Sequence, residues 1–198
     1  MFTWLPLELP VVPDHLIDKA KQLAKEYSDT DNSNIDVGNG YRHRTLTTDL
    51  GETVISRCQI AHNMGVEWEN WVKETLGIDQ WLETGVRINN DNGSEYHGPH
   101  TDPPTYRFKL YFMVDPGSED AKTCFYYEPG HLLERDSGTV VCDYKNVVKF
   151  EETVIPCNKW ILLNTNILHG VTGLKGQRIN LVISLLPDHP FIKRYLSH

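Results

Sequence analysis

The chain has 198 residues, 39% hydrophobic and 23% charged, with a formal net charge of −8 and a pI near 5.5, which is enough for one domain with a sizeable core. That acidity disfavours nucleic acid and anionic membrane as partners, because both polyanions require a basic footprint. No apolar run reaches transmembrane length, and the start "MFTWLPLELPVVPDH" has neither a cationic beginning nor an unbroken apolar stretch, so a cytoplasmic location is expected. Cys58, Cys124, Cys142 and Cys157 show no CxxC spacing and are expected to be reduced thiols, mostly buried.

In chain order, "PDHLIDKAKQLAKEY" predicts a helix. Pro13 and Asp14 suit its first turn, and Leu16, Ile17, Ala20, Leu23, Ala24 and Tyr27 fall on one face. Residues 28–40, "SDTDNSNIDVGNG", form a polar loop rich in turn residues. A second helix is predicted over "GVEWENWVKETLG", with Trp68, Trp71, Val72 and Leu76 as its apolar stripe. From about residue 83 the pattern changes to short strands: "TGVRIN", "YRFKLYFMV", "TCFYY", "GTVVCDY", "NVVKF", "TVIP", "KWILLN" and "RINLVISLL". The division is one domain over 1–198. Residues 1–82 form a helical support region with an irregular loop, 83–187 a β body, and 188–198 a short tail or helix. The fold class is mainly β (α+β), with the helices covering one sheet.

Three strands alternate in the same way. Val86 and Ile88 oppose Arg87 and Asn89. Phe108, Leu110, Phe112 and Val114 oppose Arg107, Lys109, Tyr111 and Met113. Ile179, Leu181, Ile183 and Leu185 oppose Arg178, Asn180, Val182 and Ser184. Either the polar faces meet water, or the apolar faces pack under the helices and the polar faces line an inner cavity suited to an anionic ligand.

"YHGPHTDPP" places His100 and Asp102 two residues apart, on one face of an extended segment. Nine His and fourteen Asp in this length yield about 0.6 HxD pairs by chance, so a third ligand is required. His169, at the end of an apolar strand, is the candidate, with Arg178 nine residues later. If "HGV" and "RIN" lie on paired strands, both side chains reach one cavity. Two His and one carboxylate on one face of a metal is the geometry of non-haem Fe(II) oxygenases, and a nearby arginine is a bidentate clamp for a carboxylate. His131 is the competing third ligand, but no clamp arginine follows it. His97 falls on the opposite face from His100, while His43, His62, His189 and His198 lack partners at ligand spacing.

The order HxD, "HGV" and arginine resembles the Fe(II)/2-oxoglutarate-dependent dioxygenase superfamily, and its prolyl-hydroxylase-like branch in particular, over roughly residues 84–186. The resemblance implies a double-stranded β-helix (jelly roll) with the N-terminal helices on the major sheet. It implies Fe(II) held by His100, Asp102 and His169, and 2-oxoglutarate held by Arg178. O2 completes the reaction, whose outcome is oxidative decarboxylation of 2-oxoglutarate coupled to hydroxylation, with ascorbate as an assay additive. The branch tyrosine that binds the cosubstrate carboxylate falls on Phe112 by motif and on Tyr111 by alternation; Tyr111 is preferred. A second branch tyrosine falls on Asn89 or Asn90. Val182 stands where the branch has a small polar residue, with Asn180 and Ser184 as substitutes.

Arg87 and Lys109 are expected to meet cosubstrate, substrate or a neighbouring carboxylate. One of Tyr126 and Tyr127 is expected to line the substrate pocket and the other to pack in the core. Segments 28–40, 103–106 and 115–122 border the expected pocket mouth. The substrate is a small molecule or a peptidyl residue; the sequence specifies neither it nor the oligomeric state. Two alternatives stand: a cupin-like metalloenzyme that does not use 2-oxoglutarate, and a non-catalytic jelly-roll binding module.

Overall fold

Asp14 and the Pro13 carbonyl, which accepts from the Leu16 and Ile17 amides at 3.0 and 3.1 Å, begin the first helix. Gly77, in the left-handed region at φ 66°, ends the second, and its amide donates to the Val72 carbonyl. The computed structural model describes residues 2–28, 44–47, 53–56, 58–61, 64–89, 96–128, 133–134, 140–141 and 147–196. The loop expected after Ser28 lies outside them. The elements run β1 (Trp4–Leu7), α1 (Asp14–Ser28), β2 (Arg44–Thr47), β3 (Thr53–Ser56), β4 (Cys58–Ala61), α2 (Gly65–Leu76), β5 (Glu83–Asn89), β6 (Tyr96–His100), β7 (Phe108–Asp115), β8 (Lys122–Tyr127), β9 (Leu133–Glu134), β10 (Val140–Val141), β11 (Val148–Thr153), β12 (Trp160–Asn164), β13 (His169–Thr172), β14 (Arg178–Leu185) and α3 (Pro190–Leu196).

Two six-stranded antiparallel sheets result, ordered β1-β12-β7-β14-β5-β4 and β11-β8-β13-β6-β10-β9, with β2-β3 as a separate hairpin. Helix α1 lies on β5, β7 and β14 of the first sheet. The apolar half of the alternation faces it. Val86, Ile88, Phe108, Leu110, Phe112, Val114, Ile179, Leu181, Ile183 and Leu185 share one core with Leu16, Ala20, Trp68 and Val72. Trp68, 1% exposed, also donates its indole N–H to Thr84 Oγ1 at 2.8 Å. Burial of an apolar side chain of this size contributes on the order of 2–3 kcal/mol. The polar half of the alternation points the other way, into the space between the sheets. Among the described residues, no helix is long and apolar enough to cross a membrane.

Four expectations change. The region before residue 83 is not only helical, since β1 extends the first sheet at one edge and β4 at the other. Pro6 sits in β1 without loss because an edge strand leaves alternate amides unpaired. "TVIP" is a strand only at Thr153, which ends β11. Arg107 precedes β7, after a 3-10 turn at Pro104–Tyr106, and so takes no part in that strand's alternation. Cys124 is buried, but Cys157 is exposed.

Candidate active site

The second sheet presents a row of side chains fixed by register. His169 of β13 pairs with His100 of β6 on one side and Phe125 of β8 on the other. Directly opposed residues share a face, and the two imidazole centroids lie 4.5 Å apart. The His169 Nδ1–H donates to the Ile167 carbonyl at 2.9 Å, which leaves Nε2 as the lone-pair nitrogen. Burial holds the His169 imidazole below its ordinary value, against the opposing pull of Asp102. It is therefore neutral, the form that ligates a metal.

"HGV" and "RIN" are not paired strands. β13 belongs to the second sheet, while β14 pairs with β5 and β7 in the first. Arg178 and His169 meet because the two sheets face each other across a cavity of about 400 Å3, counted with its open mouth. Both line it, with Arg87, Asn89, Tyr111 and Asn180. Tyr111 faces this cavity, whereas Phe112 packs in the helix-covered core. Val182 packs between the sheets with Tyr111, Met113 and Phe125. The Asn180 Oδ1 and Ser184 Oγ atoms are buried without a hydrogen-bond partner.

Arg178 is 4% exposed and donates to Thr123 Oγ1 at 2.9 Å. Among the described residues no carboxylate pairs with it, and burial lowers its pKa to about 10. Thr123 is a residue that pattern reading missed. Its only signal was its place two before Phe125, on the inward face of "TCFYY".

Asp102 is the carboxylate of the site. Lys109 Nζ lies 2.9 Å from its Oδ2, and Arg87 Nη2 lies 4.0 Å from its Oδ1. Burial pushes its pKa up, but Lys109, Arg87 and the two imidazoles outweigh that and hold it well below the usual carboxylate range. Lys109 is pushed down by burial and Arg87, yet Asp102, Tyr111 and Glu83 raise it overall. The Oδ2 oxygen is thus a buried anionic oxygen facing the Lys109 ammonium. Arg87 also donates to the Tyr111 hydroxyl. Among the described residues, no three His, Cys, Asp or Glu side chains close into a metal-holding group as they stand. The histidine pair is in place, and the carboxylate is turned to Lys109.

No family model and no curated protein matches the sequence. Solved structures do. AviO1 from Streptomyces viridochromogenes Tue57 aligns over 94% of this chain and 90% of its own, at 13% identity and a TM-score of 0.51. SnoN, a non-heme alpha ketoglutarate dependent epimerase from nogalamycin biosynthesis, aligns over 96% of this chain and 84% of its own, at 8% identity and a TM-score of 0.50. SnoN in complex with Fe3+, alpha ketoglutarate and nogalamycin RO aligns at a TM-score of 0.51 and 10% identity, over 92% and 79% of the two chains. The chain shares its fold with AviO1 and SnoN. At these identities the likeness extends to the fold and no further.

The residues present fit a bound iron in their chemistry. His169 offers a neutral Nε2, His100 stands beside it, and the Asp102 carboxylate is ionised and buried, its Oδ2 facing Lys109.

Tyr126 is buried in a small core cluster with Cys124 and Leu168, which is the packing role expected of one of the two tyrosines, while Tyr127 is 62% exposed. His189 accepts from the Phe191 amide at 3.1 Å at the start of α3. His43, His62, His131 and His198, and the side chain of His97, lie outside the described residues.

Proposed function

We propose that the protein is a non-haem Fe(II) oxygenase, built on a double-stranded β-helix, that couples oxidative decarboxylation of 2-oxoglutarate to hydroxylation of a peptidyl residue or small metabolite. The observation that carries this reading is the pairing of two cavity walls. One holds His169, its ring 4.5 Å from that of His100, with the Asp102 charge acting on the His169 imidazole; the other holds Arg178, buried and without a carboxylate partner among the described residues. His100, Asp102 and His169 would hold the iron, which supplies oxygen binding and redox chemistry when bound.

The chain's own part is binding and positioning. Arg178, steadied by Thr123, offers a guanidinium fork to the distal carboxylate of 2-oxoglutarate. Tyr111 and the Asn180 amide line the same cavity and offer further hydrogen bonds. Leu163, Ile155 and Val171 supply apolar walls that thin out water and so strengthen each charged contact. Arg87, Lys109 and Arg178 are three buried cations, against the buried carboxylates Asp102 and Glu83. That excess of positive charge inside an acidic protein suits a dianionic cosubstrate.

Calorimetric titration of 2-oxoglutarate into the Mn(II)-loaded protein tests the proposal. Metal-dependent binding that weakens in Arg178→Met is expected. Metal binding without 2-oxoglutarate binding would point to a cupin-like metalloenzyme, and binding of neither to a non-catalytic jelly-roll module; both contradict the reading.

A further inference from the structure

The register of the second sheet gives the cavity a direction. On β8, Thr123, Phe125 and Tyr127 share the inward face. Phe125 pairs with His169, and Thr123 accepts from Arg178. Tyr127 therefore lies on the side of the histidine row away from Arg178. Asp102 lies on that same side, because β6 and β8 both run antiparallel to β13 and Asp102 follows His100 as Tyr127 follows Phe125. The facing sheet agrees: Arg178 begins β14 at the Thr123 end, while Lys109, opposite Ser184 near the end of β14, reaches Asp102.

At the Tyr127 end the protein exposes an apolar ledge. Tyr127 is 62% exposed and its ring centroid lies 4.7 Å from that of Phe150, itself 40% exposed. Val148, paired with Tyr127 across β8 and β11, is 66% exposed. A register shift between Lys149 and Glu151 frees Phe150 from regular alternation and sets its ring against Tyr127. The opposite face of these two strands carries the Lys122–Glu152 and Lys149–Glu152 ion pairs, so charge lies on the outer face and the aromatic surface on the side that continues the inward row past Phe125. Glu151 closes the sheet edge beside the ledge, accepting from Thr3 Oγ1 at 2.7 Å and Trp4 Nε1 at 3.0 Å.

We infer that Tyr127 and Phe150 form a stacking ledge for a flat aromatic part of the substrate, at the end of the cavity opposite the Arg178 anion pocket. This rests on the oxygenase reading of the same site. The arrangement gives the two ends different chemistry: Arg178, without a carboxylate partner among the described residues, lies beyond the histidines, while on the near side Lys109 is paired with Asp102 and the exposed surface is aromatic. Aromatic faces prefer offset or tilted contact with another ring, and two rings with one valine are far smaller than the roughly 800 Å2 per partner of a stable protein interface. A small substrate fits that area, and a second copy of this chain does not.

The test uses indole as probe and the full chain loaded with Mn(II), with metal retention measured on each sample. Indole binding is followed by saturation-transfer NMR and by paramagnetic relaxation of its protons. The expected result is binding with Mn(II)-dependent relaxation, weakened about fivefold by Tyr127→Ala or by Phe150→Ala. Because Tyr127 is mostly exposed, its variant remains folded; a melting curve checks this. No indole binding, or binding indifferent to both substitutions, overturns the ledge. A concentration-dependent dimer in sedimentation that Tyr127→Ala dissociates also overturns it, in favour of self-association. Absence of Mn(II) retention in the wild type instead overturns the oxygenase reading beneath it.

Discussion

Replacing Arg178 with Met should move stability and cosubstrate binding in opposite directions. The guanidinium is 4% exposed, donates to the neutral Thr123 hydroxyl and has no carboxylate partner among the described residues. Burial depresses its pKa to about 10, and the difference from an ordinary guanidinium amounts to roughly 3 kcal/mol against the charged folded state. The sign follows from linkage: a base whose folded pKa is lowered is penalised while it is protonated, so the penalty is full below pH 10 and constant from pH 5 to 9. A Met of similar length removes the buried charge. Ligand-free Arg178→Met should therefore gain about 1–3 kcal/mol after the lost Thr123 contact is discounted, or roughly 2–12 °C in Tm for a chain of this size. Its affinity for 2-oxoglutarate should fall by roughly 30-fold or more, the usual consequence of truncating one partner of a buried charge pair. Differential scanning calorimetry with and without 2-oxoglutarate reads both effects. A variant that melts lower than wild type and is still stabilised equally by 2-oxoglutarate would refute the assignment of Arg178 as an anion clamp.

The buried Lys109–Asp102 pair should behave in the opposite way, since Lys109→Met leaves Arg87, at 4.0 Å, as the ion-pair partner of Asp102 among the described residues. Stability should fall on the order of 3 kcal/mol, and added Mn(II) should restore part of it by replacing the lost cation; thermal melts without that recovery would separate Asp102 from the metal site. On the surface, Lys122 and Lys149 lower the Glu152 pKa to about 2. Its contribution is present above the ordinary Glu value and is lost as pH falls from about 4 toward 2. Glu152→Gln should flatten the acid limb of a pH–stability curve in that window, lying slightly below wild type at neutral pH and meeting it near pH 2, and high salt should shrink the difference. An unchanged acid limb would show that the exposed pairs contribute nothing.

The alternation in "VRIN", "RFKLYFMV" and "RINLVISL" contained most of the fold, because a strand with one face under helices and the other on a polar cavity must alternate. Choosing between a solvated and an inward polar face needed the second sheet, which no local pattern reveals. For the same reason Arg178 and His169 were expected on paired strands. The eight residues between them suggest a hairpin, whereas they in fact cross from one sheet to the other. Gly117 marks how closely the β7–β8 turn approaches that crossing: at φ 82°, a Cβ there would lie 3.1 Å from the Arg178 amide nitrogen. The Lys109–Asp102 contact was legible only as a choice of carboxylates, since the pairing depends on a side chain crossing the cavity. β1 was missed because "WLPL" carries a proline and becomes a strand only by pairing with β12 far along the chain.

The central claim is that one cavity binds iron and 2-oxoglutarate together and turns the latter over. Succinate formation from 2-oxoglutarate by the purified protein with Fe(II) and ascorbate, without added substrate, tests it most directly. Slow turnover that is absent from His169→Ala is the predicted result. Turnover that persists undiminished in His169→Ala, or none in a wild-type protein shown to hold both iron and 2-oxoglutarate, would contradict it.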